Sequence, residues 1–508
     1  MKLLNALFIC AAAFTVQATD LDTIGVTLLR QVDSTLNGSF VRVAQIEAPY
    51  FTTPLPPYAF EVIPSGVGQP TNRFTYYSDL GTATTYPNSV GVNSDHADSV
   101  AGNFYGIAGV ATNVAHVDNY EVNHFLNFWP VIPGRVANQS WNYGTNSASV
   151  EQTFDNYSVN RNTIFVSGAG NGGPIFPPAS CFNGITVGDY SSANSCIGPT
   201  PDGRCKPDLT APPSNSVTSF STPYVSGAAT LLVQAAARGD GGAGASAAIN
   251  LLAIKALLLN GAIKPADWTN GPVTPLDARY GAGIVNVFNS WKQLKGGLRA
   301  SNETTTITSG SAHPPGASTG NQLSLIGWDH NATLSTATAN QDKIIHYYFN
   351  LTNSNPYTFT ATLVWNRQNN QAAINNLDLF LYNTGNSNLV LSSTSAVDNV
   401  EHLFLPQLAP GRYDLQVLKH RIGQVSNSET YALAFEFFCM KLNLALTNGS
   451  ALLSWTNSPT GFRLVSADSL SAPAVWTTVG VGVTMTNGQN IVSVPVSGTN
   501  QFFRLQRP

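Results

Sequence analysis

A serine just ahead of a Thr-Pro pair, followed at once by small apolar residues, constrains this chain more than any other stretch. It reads Val217-Thr218-Ser219-Phe220-Ser221-Thr222-Pro223-Tyr224-Val225-Ser226-Gly227, then Ala228-Ala229-Thr230-Leu231-Leu232-Val233. Proline is favoured in the first helical turn, where its missing N–H costs nothing, so a helix is expected to begin beside Ser219. The unpaired N–H groups and the positive end of that helix would favour negative charge there. A nucleophile whose reaction creates an oxyanion gains from such a place. Read alone, the stretch is a capped core helix, and only partners elsewhere in the chain can decide between the two.

Three candidate partners lie upstream. Ile164-Phe165-Val166-Ser167-Gly168-Ala169-Gly170-Asn171-Gly172-Gly173 is apolar and β-branched, and predicts a buried strand. The glycines at its end let the backbone turn tightly and expose the Asn171 amide. His96-Ala97-Asp98-Ser99-Val100-Ala101-Gly102 places a histidine at the start of a small-residue helix. Val41-Arg42-Val43-Ala44-Gln45-Ile46-Glu47 reads as another strand, with a carboxylate at its C-terminal end. In a parallel α/β sheet, catalytic groups gather in the crevice beyond the carboxyl ends of the strands.

With these residues in view, the chain resembles the subtilisin-like serine peptidases. The Ser219 segment is similar to the family's Gly-Thr-Ser-Met-Ala-x-Pro-x-Val-x-Gly, and the His96 segment to His-Gly-Thr-His-Val-Ala-Gly. Ala169-Gly170-Asn171 matches the oxyanion-hole motif. Val136-Ala137-Asn138-Gln139-Ser140-Trp141 resembles the substrate-binding strand, and Lys206-Pro207-Asp208-Leu209-Thr210-Ala211-Pro212 and Tyr280-Gly281-Ala282-Gly283-Ile284-Val285-Asn286 add two further matches. The resemblance covers residues 22–297. It implies an α/β fold, a mostly parallel subtilisin-like sheet flanked by helices. It also implies Ser219 as nucleophile, His96 as base and then acid, and Asn171 with the Ser219 N–H as oxyanion hole. Ser140, Trp141 and Asn142 would bind substrate.

The departures are specific. Val217 stands where the family usually has glycine, and Ala97, Asp98 and Ser99 replace Gly-Thr-His. The family's Asp-Thr/Ser-Gly is here Glu47-Ala48-Pro49. The carboxylate has to orient the imidazole and stabilise its charged form, and glutamate does this in other Ser/His enzymes. Glu47 is the expected third member, with Asp95, Asp98 or a site lacking any working carboxylate as alternatives. The chemistry would be peptide hydrolysis through an acyl-enzyme, because a neutral hydroxyl becomes nucleophilic only when a base takes its proton. The alternative from another class is a catalytically inactive scaffold used for binding or adhesion.

Composition agrees with an extracellular setting. Met1-Lys2-Leu3-Leu4 leads into an apolar stretch ending at Val16-Gln17-Ala18, the pattern of a signal peptide cut after Ala18. The stretch is too short to span a membrane, and no later one reaches about 18 apolar residues. Four cysteines remain after that cut. Cys196 and Cys205 flank a turn-rich loop and are the favoured disulfide pair, while Cys181 and Cys439 stand apart. No cofactor is expected: zinc-ligand spacing is missing, and although calcium sites are common in the family, no oxygen-ligand pattern here picks one out. With 24 Lys and Arg against 28 Asp and Glu and no basic run, nucleic acid is not favoured as a partner. Protein or peptide substrates are expected. Asn-x-Ser/Thr triplets at Asn37, Asn156 and Asn302 matter only in a host that glycosylates.

The length of 508 residues suggests about three domains. Residues 19–298 are expected to form the peptidase domain, with helices over Ala247–Ala262 and Val285–Leu294. Only one helix, Leu21–Leu36, fits between the signal peptide and the Glu47 strand, leaving no room for the folded propeptide that many relatives carry. A Gly/Pro/Ser-rich stretch, Ser309–Gly320, follows. Residues 299–438 then alternate in short segments, including Ile344–Leu351, Phe359–Trp365, Leu377–Tyr382, His402–Leu405 and Tyr413–Leu418, as in a jelly-roll-like β-sandwich. Residues 439–508 read as a small fibronectin-type β module. These two units are candidates for contact with substrate, glycan or a cell surface, or for a passive stabilising role.

Overall fold

The computed structural model describes residues 19–49, 58–242, 244–308, 322–334, 341–447, 449–456, 462–471, 475–480, 482–486, 489–496 and 501–506. The expected signal peptide and the Ser309–Gly320 stretch lie outside the described residues.

Eight strands form the central sheet, in the order Leu209–Ala211, Ile185–Asp189, Ile164–Gly168, Val136–Gln139, Arg42–Glu47, His116–Glu121, Phe74–Ser78, Gly81–Ala83. All neighbours are parallel except the last pair, a hairpin at the edge. Sheets covered by helices on both faces need strands apolar on both sides, which is why these segments read as continuous rather than alternating runs. Five of the six residues in Arg42–Glu47 are buried. Its register sets Glu47 opposite Glu121 at the carboxyl end of the sheet.

Two helices carry the segments singled out above. Asp95–Phe104 is capped by Ser94, whose hydroxyl accepts from the Ala97 N–H, and holds Asp95 and Asp98 in its first turn, where acidic side chains suit the dipole. Ala97, Val100, Ala101 and Phe104 are its buried face, the spacing of one helical stripe. Thr218–Ala237 is buried along nearly all of its 20 residues. Its proline is not in the first turn as expected: Pro223 lies inside the helix. Lacking an N–H, it cannot bond the carbonyl four residues back, that of Ser219. The Ser140 hydroxyl donates to that carbonyl instead, at 2.8 Å.

Other boundaries also shift. The expected helix Leu21–Leu36 is two short ones, Asp20–Thr23 and Val26–Val32, broken at Gly25. Gly25 sits at φ +77°, and a Cβ there would come within 2.6 Å of Asn286 Oδ1, so only glycine fits. Ala247–Ala262 divides into Ala245–Ala248 and Leu251–Asn260 because Asn250 caps the second helix. Val285–Leu294 is observed as Val287–Lys295. Lys206 and Asp208 serve structure: the buried Asp208 carboxylate lies 2.6 Å from Lys206 Nζ and 3.1 Å from Lys255 Nζ.

The expected Cys196–Cys205 disulfide is not formed, and all four described cysteines are free. Cys196 packs in a small cluster with Ala169, Ile175 and Ala179. Cys205 lies against the main core, and its N–H donates to Asp398. The turn between them directs the two thiols into separate surroundings.

The C-terminal half is antiparallel β structure. A five-stranded sheet (Glu303–Thr308, Gln341–Leu351, Gly411–Lys419, Leu377–Asn383, Asn388–Ser393) and a four-stranded one (Ile326–Leu334, Ser428–Phe438, Tyr357–Trp365, Val400–Leu408) share one core. Two smaller sheets follow, around Leu453, Trp455, Leu464 and Val492. The four-stranded sheet is not tethered loosely to the first half. Leu251–Asn260 is wholly buried and, apart from Lys255 and Asn260, apolar, so it needs cover on both faces. Val364, Val400, Ala432 and Ala434 supply the outer cover, and Trp328 joins the same core with its indole N–H donating to the Leu294 carbonyl.

A charged contact crosses this junction. Arg367 Nη2 lies 2.7 Å from Asp155 Oδ2, both nearly fully buried, although the guanidinium is not aligned for a hydrogen bond. Arg204 and Arg367 both lie over the Phe182 ring. Breaking a buried pair by removing one partner strands the other charge, at a cost of about 3–5 kcal/mol. Asp155→Leu is therefore expected to lower the urea unfolding midpoint sharply, and adding Arg367→Met to recover only part of the loss, because the Phe182 and Asn183 N–H groups that donate to Asp155 stay unpaired. Equal midpoints for wild type and the single variant would mean the contact contributes nothing. Among the described residues, no helix is long and apolar enough to cross a membrane.

Candidate active site

Glu47 ends the central strand and points along it to the helix that begins at Asp95. Its Oε2 lies 2.8 Å from His96 Nδ1. The carboxylate is 1% exposed and the imidazole side chain 28%, so one partner is held in the protein and the other faces the crevice. Burial of His96 works against its protonation. The hydrogen bond donated to Glu47 and the negative charge of Glu47 outweigh that, and the pKa is raised above the ordinary value.

Neither alternative carboxylate is bonded to the imidazole among the described residues. Asp98 accepts from the Ile63 N–H at 2.7 Å and from Asn93 Nδ2 at 2.8 Å, so both its oxygens face away from the imidazole. Asp95 is exposed on the first turn.

Ser219 is the second residue of its helix. The N–H groups of a first turn have no partners within the helix. Asn171 Oδ1 takes one of them, accepting from Thr218 N–H at 2.8 Å. This commits the oxygen end of the amide of Asn171, which is exposed, and leaves its NH₂ end to face outward. Gly170, at φ +107°, lets the chain turn so that Asn171 stands exposed, and its own N–H donates to Thr218 Oγ1 at 3.1 Å.

Ser219 Oγ donates to the Ser140 carbonyl at 3.3 Å, and among the described residues no hydrogen bond joins it to His96. The His96 ring instead lies 5.9 Å from the ring of Phe220, the next residue along. The structure thus brings Glu47 and His96 together as one bonded pair, and Ser219, Asn171 and Ser140 together as another group, with the two adjoining at Phe220. Of the expected substrate-binding residues, Ser140 contacts Ser219 twice, through its carbonyl and its hydroxyl. Trp141 packs part-buried near Phe154. Asn142 is exposed and its Oδ1 accepts from the Gly144 N–H.

Gln45 and Tyr105 were not among the expected site residues. Gln45 Nε2 donates to Glu47 Oε1 at 2.9 Å, and Tyr105 OH donates to Gln45 Oε1 at 2.6 Å. The available signal was a glutamine inside an otherwise apolar buried strand, two positions before the carboxylate. Among the described residues, no three His, Cys, Asp or Glu side chains are placed to hold a metal ion.

Residues 133–283 match the sequence model of the subtilase family. Over that stretch the chain is similar to the subtilases. This match supports a serine peptidase. No curated protein matches the chain in sequence. Among solved structures it is similar to a mutant of the protease domain of PatA, at 22% identity over 50% of this chain and 95% of that one, with a TM-score of 0.34. The prenylagaramide maturation protease PagA is similar at 19% identity over 54% and 99% of the two chains, TM-score 0.36. Proteases from Pseudoalteromonas arctica are similar at 17% identity over 52% and 94%, TM-score 0.36.

Proposed function

We propose that this chain is a secreted serine endopeptidase that cleaves protein or peptide substrates through an acyl-enzyme. The observation that carries the reading is the Glu47–His96 pair at the carboxyl end of the sheet, beside a serine at a helix N-terminus. His96 would take the Ser219 proton and later return it to the leaving amine, with Glu47 holding the tautomer in which Nε2 is the acceptor. Serine has a single side-chain torsion, so one rotamer change releases its hydroxyl from the Ser140 carbonyl. The Asn171 NH₂ and the Ser219 N–H would bind the oxyanion, an interaction worth about 3 kcal/mol per side-chain donor in enzymes of this type. Secretion is proposed from the N-terminal sequence alone.

A fluorophosphonate probe tests this directly. The folded protein at neutral pH should be labelled at Ser219; a folded protein that resists labelling would instead be a binding or adhesion scaffold. The pH dependence has a definite sign. The base works only when neutral, and the raised His96 pKa means the neutral form is reached later as pH climbs. The acid limb of the labelling rate is expected to have its midpoint above about 6.5, the ordinary histidine value. A midpoint below that would show that Glu47 does not govern the imidazole.

A further inference from the structure

We propose that Gln45, held by Tyr105, is a positioning residue that fixes the Glu47 carboxylate against His96. The proposal rests on the peptidase reading above and deepens it. Glutamate has one more side-chain torsion than aspartate, so a single bond to His96 would leave its carboxylate plane free to turn. It would also leave the second oxygen as a buried acceptor without a partner, which is unfavourable. Gln45 answers both needs. It stands two residues before Glu47 on the same strand, so the two side chains share a face. Its side chain is fully buried, and each polar end has a partner. Nε2 donates to Glu47 Oε1 at 2.9 Å and to the Ala97 carbonyl at 3.0 Å, while Oε1 accepts from Tyr105 OH at 2.6 Å.

The orientation of this amide follows from its neighbours. A carboxylate and a backbone carbonyl can only accept, so the NH₂ end must face them and the oxygen end must face the phenol. Burial, then the charges of Tyr76, Glu47 and Asp98, push the Tyr105 pKa well above its ordinary value, so the hydroxyl stays a donor. Ala97 directly follows His96, and Tyr105 directly follows the helix that carries it. One amide therefore ties the carboxylate to both ends of the histidine's helix. A glutamine serving only to satisfy a buried strand would not need the catalytic carboxylate among its partners.

The test uses the full chain with isotope-labelled histidine, following the His96 titration by NMR, with His96→Gln identifying the resonance. In Gln45→Met the midpoint is expected to fall by about one pH unit, because the carboxylate that raises it is no longer held. In Tyr105→Phe it should fall in the same direction by less, and this milder variant decides the matter if Gln45→Met does not fold. An unchanged or raised midpoint in the folded variants overturns the proposal. In the active enzyme, kcat should drop about tenfold with KM unchanged, as expected when a reacting group loses alignment rather than binding. A rise in KM alone would also count against it. The titration needs no turnover, so its outcome is distinct from failure of the peptidase reading, which would show as wild type resisting the fluorophosphonate.

Discussion

Replacing Ser219 with alanine is expected to abolish fluorophosphonate labelling and to cut peptide hydrolysis by about 10⁶-fold, the scale on which a serine–histidine unit fails when one member is lost. The fold should survive. The Ser219 hydroxyl makes one hydrogen bond, at 3.3 Å to the Ser140 carbonyl, and the bond that the backbone of Ser219 accepts from Ser140 Oγ does not involve the lost atom. The Thr218–Ala237 helix is held by burial along its length rather than by that hydroxyl. Thermal unfolding of the variant should therefore match wild type closely. Hydrolysis surviving in Ser219→Ala, with the same inhibitor profile, would place the nucleophile elsewhere.

Glu47→Gln is expected to reduce kcat by about 10⁴-fold through a change of tautomer rather than of shape. The geometry around the carboxylate gives the reason. Gln45 Nε2 donates to Oε1, so a glutamine at position 47 would keep its oxygen toward Gln45 and turn its NH₂ to His96 Nδ1. An imidazole that accepts at Nδ1 carries its proton on Nε2, and can no longer take one from a serine. The same change removes the hydrogen bond and the charge that raise the His96 pKa, leaving burial, which lowers it. The acid limb of any residual activity should thus move to lower pH. Wild-type kcat in a folded Glu47→Gln variant would remove Glu47 from the mechanism.

Much of the first half was legible because its signals are local. Asn171 and His96 each sit at the end of an element with an evident boundary: glycines after a β-branched run, and a small-residue helix behind a serine cap. The departures arose where distant residues intervene. Pro223 could sit beyond the first turn because Ser140 Oγ, just past the Val136–Gln139 strand, satisfies the carbonyl that proline leaves unbonded. The break at Gly25 answers to Asn286, and the separation of Cys196 from Cys205 to the two different clusters that receive them. Spacing along the chain carries no record of such neighbours.

The C-terminal sheets show the same division. Alternating apolar residues announced strands such as Phe359–Trp365 and Tyr413–Leu418, yet their attachment to the first half was not readable. It depends on one face of a helix, Leu251–Asn260, meeting the outer face of a sheet whose strands lie far along the chain, from Ile326–Leu334 to Ser428–Phe438.

Order along the polymer was enough to define the subtilase-like framework and to nominate Glu47, His96, Asn171 and Ser219, because motif and periodicity are properties of neighbouring residues. Which carboxylate oxygen meets the imidazole, how the serine hydroxyl is held, and that Gln45 and Tyr105 stand behind them were decided only by folding. Hydrogen bonds of this kind depend on direction and on tenths of an ångström between segments that are remote in the chain, and only their packing sets either.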